Sequence, residues 1–112
     1  MKANGNELLQ VFEALANPHR MRIVAALKDR RKYVSELARE VRLSRPLLYL
    51  HLQRLETAGL VTGKLELSDS GKAMKFYELS QFEYRITPEF IFEAVKTLKL
   101  SSPSETDDIE EE

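Results

Sequence analysis

Several side chains between positions 45 and 58 of the sequence can form directed hydrogen bonds. Among them, Arg45, Tyr49, Gln53 and Arg54 would fall outside the apolar stripe of the same stretch in a helix. Glutamine can pair with the edge of adenine, and arginine can pair with guanine. The chemistry open to this stretch is therefore hydrogen bonding to a polar partner rather than bond cleavage.

Basic residues are concentrated in the middle of the chain. The 112 residues include 17 Lys and Arg and 18 Asp and Glu, which gives a formal net charge of −1. Six of the acids lie in the last twelve residues, and the segment from Pro18 to Lys75 has 13 basic and 6 acidic residues. This segment is the basic body of the chain, and its positive charge favours an anionic partner. Arg42, Lys64 and Lys72 are candidates for phosphate contacts, although hairpin lysines are as often merely solvated.

The sequence offers little for catalysis or metal binding. It has no cysteine and two histidines, so the usual Cys and His metal sets are missing from it. Its carboxylates accompany no glycine-rich loop or nucleophile motif. We therefore predict that the protein is not an enzyme and has no cofactor. No apolar run has the length of a signal peptide or a membrane span, which predicts a cytoplasmic protein that does not bind membranes.

Capping residues and apolar spacing predict three helices in the first part of the chain. Apolar residues at positions 8, 11, 12 and 15 predict a first helix over residues 6–16. Asn17 and Pro18 predict the N-cap and first residue of a second helix, which ends near Lys28. Ser35 is the predicted N-cap of a short third helix. The turn after it falls at Arg42.

The fourth predicted helix covers about residues 45–58. Ser44 is its predicted N-cap, Pro46 lies in its first turn, and Gly59 follows its end. One side carries a narrow apolar stripe, which consists of Leu48, Leu52 and Leu55 and is flanked by Leu47 and His51. The stripe predicts a buried side, on which His51 packs and hydrogen-bonds rather than acting as a ligand. The opposite side is a mixed polar and apolar surface.

A hairpin and a last helix complete the predicted fold. Residues 60–67 and 73–79 are β-prone and are joined by the turn sequence SDSGK. Thr87 and Pro88 begin a last helix with a broad apolar stripe. From residue 101 the chain is rich in Ser and acids, which predicts a disordered acidic tail. The predicted domains are one compact unit over residues 1–100 and the tail over residues 101–112.

Three helices with a short turn, followed by a hairpin, form a winged helix-turn-helix. Four segments carry a closer likeness: ALANPHRMRIVAAL, VSELAREVRLS, HLQRLETAGLV and KFYELS. On these segments the run from Phe12 to Leu79 resembles the ArsR-like (arsenic-repressor-like) winged-helix transcription regulators. The resemblance implies a mainly α (α+β) fold with a two-stranded β-hairpin wing and flanking N- and C-terminal helices. It also implies a sequence-specific DNA-binding regulator of transcription.

The predicted interface with double-stranded DNA combines the fourth helix and the wing. A recognition helix over about residues 45–58 fits the major groove, and a wing over about residues 60–79 meets the backbone. The predicted DNA-binding residues are Arg42, Ser44, Arg45, Pro46, Tyr49, Leu50, Gln53, Arg54, Lys64, Lys72 and Lys75.

The first and last helices carry more apolar surface than three helices and a hairpin can cover, which predicts a homodimer. Two-fold pairing of the subunits would place two recognition helices about one turn of DNA apart. The predicted interface residues are Leu8, Phe12, Leu15, Phe90, Ile91, Val95 and Leu98.

Two features leave alternatives open. Many relatives carry small polar residues where this chain has Pro46, Tyr49 and Leu50, so the surface of the fourth helix is also compatible with a protein partner. Family members that sense soft metals carry a cysteine pair in the helix before the turn, where this chain has SELAREV. The sequence therefore predicts no metal site, and it identifies no other effector.

Overall fold

The structure, a computed structural model, describes residues 4–99, which form five helices and a three-stranded antiparallel sheet. The elements are α1 (Gly5–Leu15), α2 (Pro18–Ala26), β1 (Lys32–Tyr33), α3 (Val34–Val41), α4 (Arg45–Thr57), β2 (Val61–Leu67), β3 (Ala73–Leu79) and α5 (Pro88–Val95). The predicted acidic tail, residues 101–112, lies outside the described residues. The described residues divide into a unit of residues 10–82 and a unit that joins residues 4–9 with 83–99.

Side-chain caps begin α2, α4 and α5 as the sequence predicts. The side chain of Asn17 accepts a hydrogen bond from the backbone N–H of His19 at 2.9 Å, Ser44 accepts from Leu47 at 3.4 Å, and Thr87 accepts from Phe90 at 3.0 Å. Each cap satisfies an N–H that has no partner within its own helix. The boundaries of these three helices are therefore set locally.

Two helix starts differ from the prediction. Ser35 is not the cap of α3, because Tyr33 occupies the N-cap position without a side-chain bond and the helix begins at Val34. Tyr33 ends β1, so the chain passes directly from strand to helix. The first helix begins at Gly5 because Asn4 and Glu7 exchange hydrogen bonds between side chain and backbone, at 2.8 and 3.2 Å.

The core of residues 10–82 lies under α4. Leu48, Leu52 and Leu55 are fully buried, as predicted, and they belong to a group of large buried side chains that also includes Ile23, Leu37 and Leu60. The buried side is narrower than predicted, because Leu47, which the sequence predicts to flank the stripe and face inward, is 49% exposed. Leu47 lies about 100° around the helix from Leu48, so it falls outside the packed side.

The hairpin predicted from residues 60–79 is confirmed, and a third strand joins it. The sheet order is β1-β3-β2, with Tyr33 opposite Phe76 and Gly63 opposite Tyr77. A Cβ atom at Gly63 would lie 2.8 Å from the Tyr77 ring, so glycine is needed for this close approach. β1 has two residues within a charged stretch, which is too short to show a strand pattern.

In the other unit, the first turns of α1 pack against α5. The backbone N–H of Gly5 donates to Thr97 Oγ1 at 2.7 Å, and the N–H of Lys99 donates to Asn6 Oδ1 at 3.2 Å. A Cβ atom at Gly5 would lie 2.3 Å from the carbonyl oxygen of Ala94. The absence of a side chain at position 5 therefore permits the close contact between the two helices.

Replacement of Leu52 by alanine should destabilise the protein by about 2–5 kcal/mol, because it leaves a cavity at a fully buried position. Urea denaturation followed by circular dichroism would measure the loss. The matched control is Leu50→Ala on the same helix, where the side chain is 59% exposed and the change should cost little. Equal losses in the two variants would contradict the burial of the predicted stripe.

Candidate nucleic-acid interface

The outward side of α4 presents the hydrogen-bonding side chains that the sequence predicts for it. Arg45, Tyr49, Gln53 and Arg54 are all exposed, and so are the apolar Pro46 and Leu50. Ser44 is exposed as well, but its hydroxyl is already used in the cap of the helix. The buried stripe holds the helix in place, so these side chains project from a fixed surface.

The turn before α4 contains a residue with an unusual backbone conformation. Arg42 has φ 59° and ψ 47°, a left-handed conformation in which glycine is the common residue. The next N–H, that of Leu43, donates to the carbonyl of Ala38 at 3.1 Å and closes the end of α3. This conformation costs a non-glycine residue roughly 1–2 kcal/mol. An exposed arginine at this position therefore lowers the stability of the fold.

A cleft of about 290 Å³ separates the start of α4 from the wing. Arg45 and Tyr49 line it from the helix, and Lys72 and Lys75 line it from the hairpin. The cleft brings predicted base-reading residues next to predicted phosphate-binding residues. Its lining also includes two polar residues that the sequence analysis did not assign to the interface, Tyr33 and Ser35. Their position depends on β1, which is why sequence patterns did not reveal them.

The third predicted wing lysine, Lys64, lies on the other face of the hairpin. Successive residues of a strand point to opposite faces, and Lys64 is opposite Phe76, whereas Leu65 is opposite Lys75. Lys75 lies above the ring of Tyr77, with Nζ 5.7 Å from the ring centroid. The wing therefore offers positive charge on both faces and at its tip.

The remaining outward residues of α4 border a second, wider groove of about 760 Å³. Leu50, Gln53 and Arg54 line it from α4, and Gln10 and Glu13 line it from α1. The predicted DNA-binding residues of α4 that line a groove are thus divided between two places. One group shares the cleft with the wing, and the other faces the C-terminal half of α1.

His51 connects α4 to α2 beside this groove. Its Nδ1 lies 3.2 Å from Nη1 of Arg20, whose Nε donates to the carbonyl of Ala14 at 2.6 Å. Because a guanidinium only donates, His51 accepts at Nδ1 and carries its proton on Nε2. The ring of His19 lies 5.4 Å away. His51 is therefore a partly buried, hydrogen-bonded histidine, in agreement with the sequence analysis.

The environment of His51 favours its neutral form. Burial is the main cause that lowers its pKa below the usual 6.5, and the nearby charges of Arg20 and His19 act in the same direction. A proton on Nδ1 would also remove the acceptor for Arg20. The contact between α2 and α4 at this point therefore depends on an uncharged ring.

The cations of the interface carry no ion pair within residues 4–99. The four salt bridges of that range involve Arg30, Arg31, Lys32 and Lys96, each with a glutamate. None of the predicted DNA-binding residues, Arg42, Arg45, Arg54, Lys64, Lys72 and Lys75, is among them. Their charges are thus available to an anionic partner.

Residues 4–99 contain no cluster of three or more histidines and carboxylates that could hold a metal ion. None of the helices in this range has the length and apolar character needed to cross a bilayer.

The fold and the exposed helix define a class, the winged helix-turn-helix proteins. A helix-turn-helix domain family model matches residues 15–64. An uncharacterized HTH-type transcriptional regulator of Methanocaldococcus jannaschii is 40% identical over 85 residues, which cover 76% of this chain and 88% of that protein. The HTH-type transcriptional repressor SmtB of Mycobacterium tuberculosis is 38% identical over 55 residues, 49% of this chain and 41% of the repressor.

A solved structure shows the same fold. It is the homodimeric winged helix-turn-helix DNA-binding domain of a possible ArsR-family regulator from Mycobacterium bovis, with a TM-score of 0.59 and 24% identity over 66% of this chain and 64% of that one. The chain belongs to the ArsR-like winged helix-turn-helix transcription regulators, and it is a DNA-binding transcription regulator.

Folding stability should fall as pH drops through the range between 6.5 and the lowered folded-state pKa of His51. In that range the unfolded chain binds a proton that the folded chain does not, so acid favours unfolding. Urea midpoints at about pH 7.5 and about pH 5.5 would measure the difference. His51→Gln keeps a neutral acceptor for Arg20 and should reduce the pH dependence. An unchanged dependence in this variant would show that other groups cause it.

Proposed function

We propose that α4 lies in the major groove of DNA and that the wing meets the sugar-phosphate backbone beside it. The observation that carries this proposal is the cleft at the start of α4, where Arg45 and Tyr49 face Lys72 and Lys75. A major groove accepts one α-helix, and a phosphate chain that follows the groove would pass between helix and wing. Arg42 adds a cation at the turn before the helix.

Within this arrangement we assign different roles to the two sets of side chains. Arg45, Tyr49 and Gln53 would contact base edges, and Leu50 could touch only a thymine methyl. Ser44 and Pro46 at the start of the helix would lie near the sugar-phosphate backbone of DNA. Arg54 lies at the far end of the exposed surface. Lys64, Lys72 and Lys75 would bind phosphates, which position the protein without distinguishing sequences.

We further propose a homodimer through α1 and α5, as the related Mycobacterium bovis domain is described as homodimeric. Val95 is 55% exposed, Phe12 and Leu98 are exposed, and Leu15, Phe90 and Ile91 are partly exposed. Leu8 is buried within the single chain, and the exposed residue beside it is Leu9. Phe92, which the sequence analysis did not select, is the most exposed aromatic residue of α5.

Several sequence predictions stay predictions. The acidic tail over residues 101–112 would compete with DNA for the basic body through its negative charge. A cytoplasmic location and the lack of catalytic activity fit a transcription regulator. A protein partner on the exposed surface of Tyr49 and Leu50 is the alternative use of α4, and the regulators among the relatives favour DNA instead.

Gln53→Ala and Lys72→Ala should impair DNA binding in different ways. Loss of a base contact removes roughly 1–3 kcal/mol of discrimination, so Gln53→Ala should flatten sequence preference. Lys72→Ala should weaken all duplexes alike and reduce the salt slope by about one, because one phosphate contact is lost. Binding to a duplex enriched from a random library, and to random duplexes, across a salt series would measure both effects.

The control for Lys72→Ala is Lys28→Ala, which removes the same charge from an exposed residue of the segment that follows α2. It should leave the salt slope nearly unchanged. Full specific affinity and an unaltered slope in both Gln53→Ala and Lys72→Ala would refute the assignment of α4 to the major groove. The exposed apolar residues of α4 would then be better explained by a protein partner.

The homodimer predicts a dimeric sedimentation coefficient for the purified protein at micromolar concentration. Val95→Asp should shift it toward the monomer, because a charge would be buried in an apolar interface. Leu65→Asp is the control, since Leu65 is 65% exposed on the wing and outside the proposed interface. A wild-type protein that sediments as a monomer would contradict the proposal, whatever the behaviour of the variants.

A further inference from the structure

Arg31 contacts both strands of the wing. Its Nη1 donates to Oε2 of Glu66 at 2.6 Å, and its Nη2 donates to Oε1 of the same carboxylate at 3.1 Å. Its guanidinium carbon lies 4.2 Å from the centroid of the Phe76 ring. Glu66 belongs to β2 and Phe76 to β3, so one side chain just before β1 spans the hairpin.

Phe76 extends this contact toward the cleft. Its ring meets that of Tyr33 edge to face, with centroids 5.8 Å apart and an interplanar angle of 84°. Tyr33 ends β1, immediately precedes α3, and lines the cleft between wing and α4. Arg31, Phe76 and Tyr33 thus form a row of side chains. The row connects the wing face that carries Lys64 to the start of α3, beside the proposed DNA-binding cleft.

The same contact controls a charge that would oppose DNA. Glu66 lies two residues from Lys64 on one face of β2, and the hydrogen bonds from Arg31 are the main cause that lowers its pKa. Glu66 therefore stays ionised at neutral pH, and Arg31 compensates its charge. Within residues 4–99, Arg31–Glu66 is the one salt bridge that includes a residue of the wing strands.

Resting on the proposed DNA-binding function, we propose that Arg31 is a positioning residue for the wing. It holds the two strands against the segment that leads into α3, and it neutralises Glu66 beside the lysines that meet phosphates. Its terminal nitrogens donate to Glu66 and its flat face lies on Phe76, so it acts through these residues and not by touching DNA. The pair is partly exposed, so its main effect is on binding rather than on folding.

A neighbouring residue supplies the matched control. Arg30 is exposed and pairs with Glu36 of α3, and its Nη1 also donates to the backbone carbonyl of Arg31 at 3.0 Å. Arg30→Ala and Arg31→Ala remove the same charge from adjacent positions, so a general loss of positive charge affects the two variants equally. Any excess effect of Arg31→Ala is then attributable to its contacts with the wing.

The test compares affinities of the full chain for a duplex enriched from a random library by the wild-type protein. Arg31→Ala should weaken binding roughly threefold to tenfold more than Arg30→Ala, which lies within the range over which contacting residues couple. The loss caused by Arg31→Ala should be at least about threefold smaller when Glu66→Gln is already present, because no unpaired carboxylate is then left. Its salt slope should equal that of Arg30→Ala.

Arg31→Lys separates positioning from a direct phosphate contact. Lysine keeps the charge but cannot form the paired hydrogen bonds or stack on Phe76 in the same way, so this variant should resemble Arg31→Ala. Full binding by Arg31→Lys, or an equal loss with and without Glu66→Gln, would overturn the proposal in favour of a direct contact. Equal affinities of Arg31→Ala and Arg30→Ala would overturn it as well.

A measurement without DNA completes the test. Amide hydrogen exchange in β2 and β3 of the free protein should be faster in Arg31→Ala than in Arg30→Ala or the wild type. The reason is that the wing loses its contact with the segment before β1. Unchanged exchange together with equal affinities would show that Arg31 has no role in the wing. If the wild-type protein itself binds no duplex in a salt-dependent manner, the proposed function fails, which is a different result.

Discussion

Burial of one side of α4 is the interaction on which the rest of the structure depends. Leu48, Leu52 and Leu55 are completely enclosed, so the rotation of the helix about its axis is determined by the core. Side chains on the opposite side must then face outward at set angles. Stability and presentation of the interface therefore have one cause, and a residue such as Gln53 is held in place by leucines on the opposite side of the helix.

The wing inherits its position from the same core. Gly59 has φ 78° and ends α4, and the N–H of Leu60 donates to the carbonyl of Leu55 at 2.9 Å. Leu60 is itself buried, and its carbonyl accepts from Ser80 at the far end of the hairpin. The hairpin is thus anchored at its base to the last turn of α4. Its orientation at the tip depends on longer-range contacts such as that of Arg31 with Glu66.

Features encoded within a few residues were predictable from the sequence, and features made by distant pairing were not. Asn17, Ser44 and Thr87 cap helices through bonds to residues two or three positions away, so the sequence predicts them directly. By contrast, β1 exists because it pairs with β3 more than forty residues later. That pairing moved the start of α3 and placed Tyr33 in the cleft, which no local pattern reveals. The exposed side of α4 was predictable because it is the complement of a periodic stripe.

The distribution of charge shows the same distinction between local composition and spatial arrangement. The basic residues between Pro18 and Lys75 look equivalent in the sequence. In the structure, however, Arg30, Arg31 and Lys32 form salt bridges with glutamates. Arg20 donates hydrogen bonds to His51 and to the carbonyl of Ala14 near the end of α1. Cations already paired within the protein release few counterions when DNA binds. The salt dependence of binding should therefore follow the residues of α4, its preceding turn and the wing, rather than the total charge of the segment.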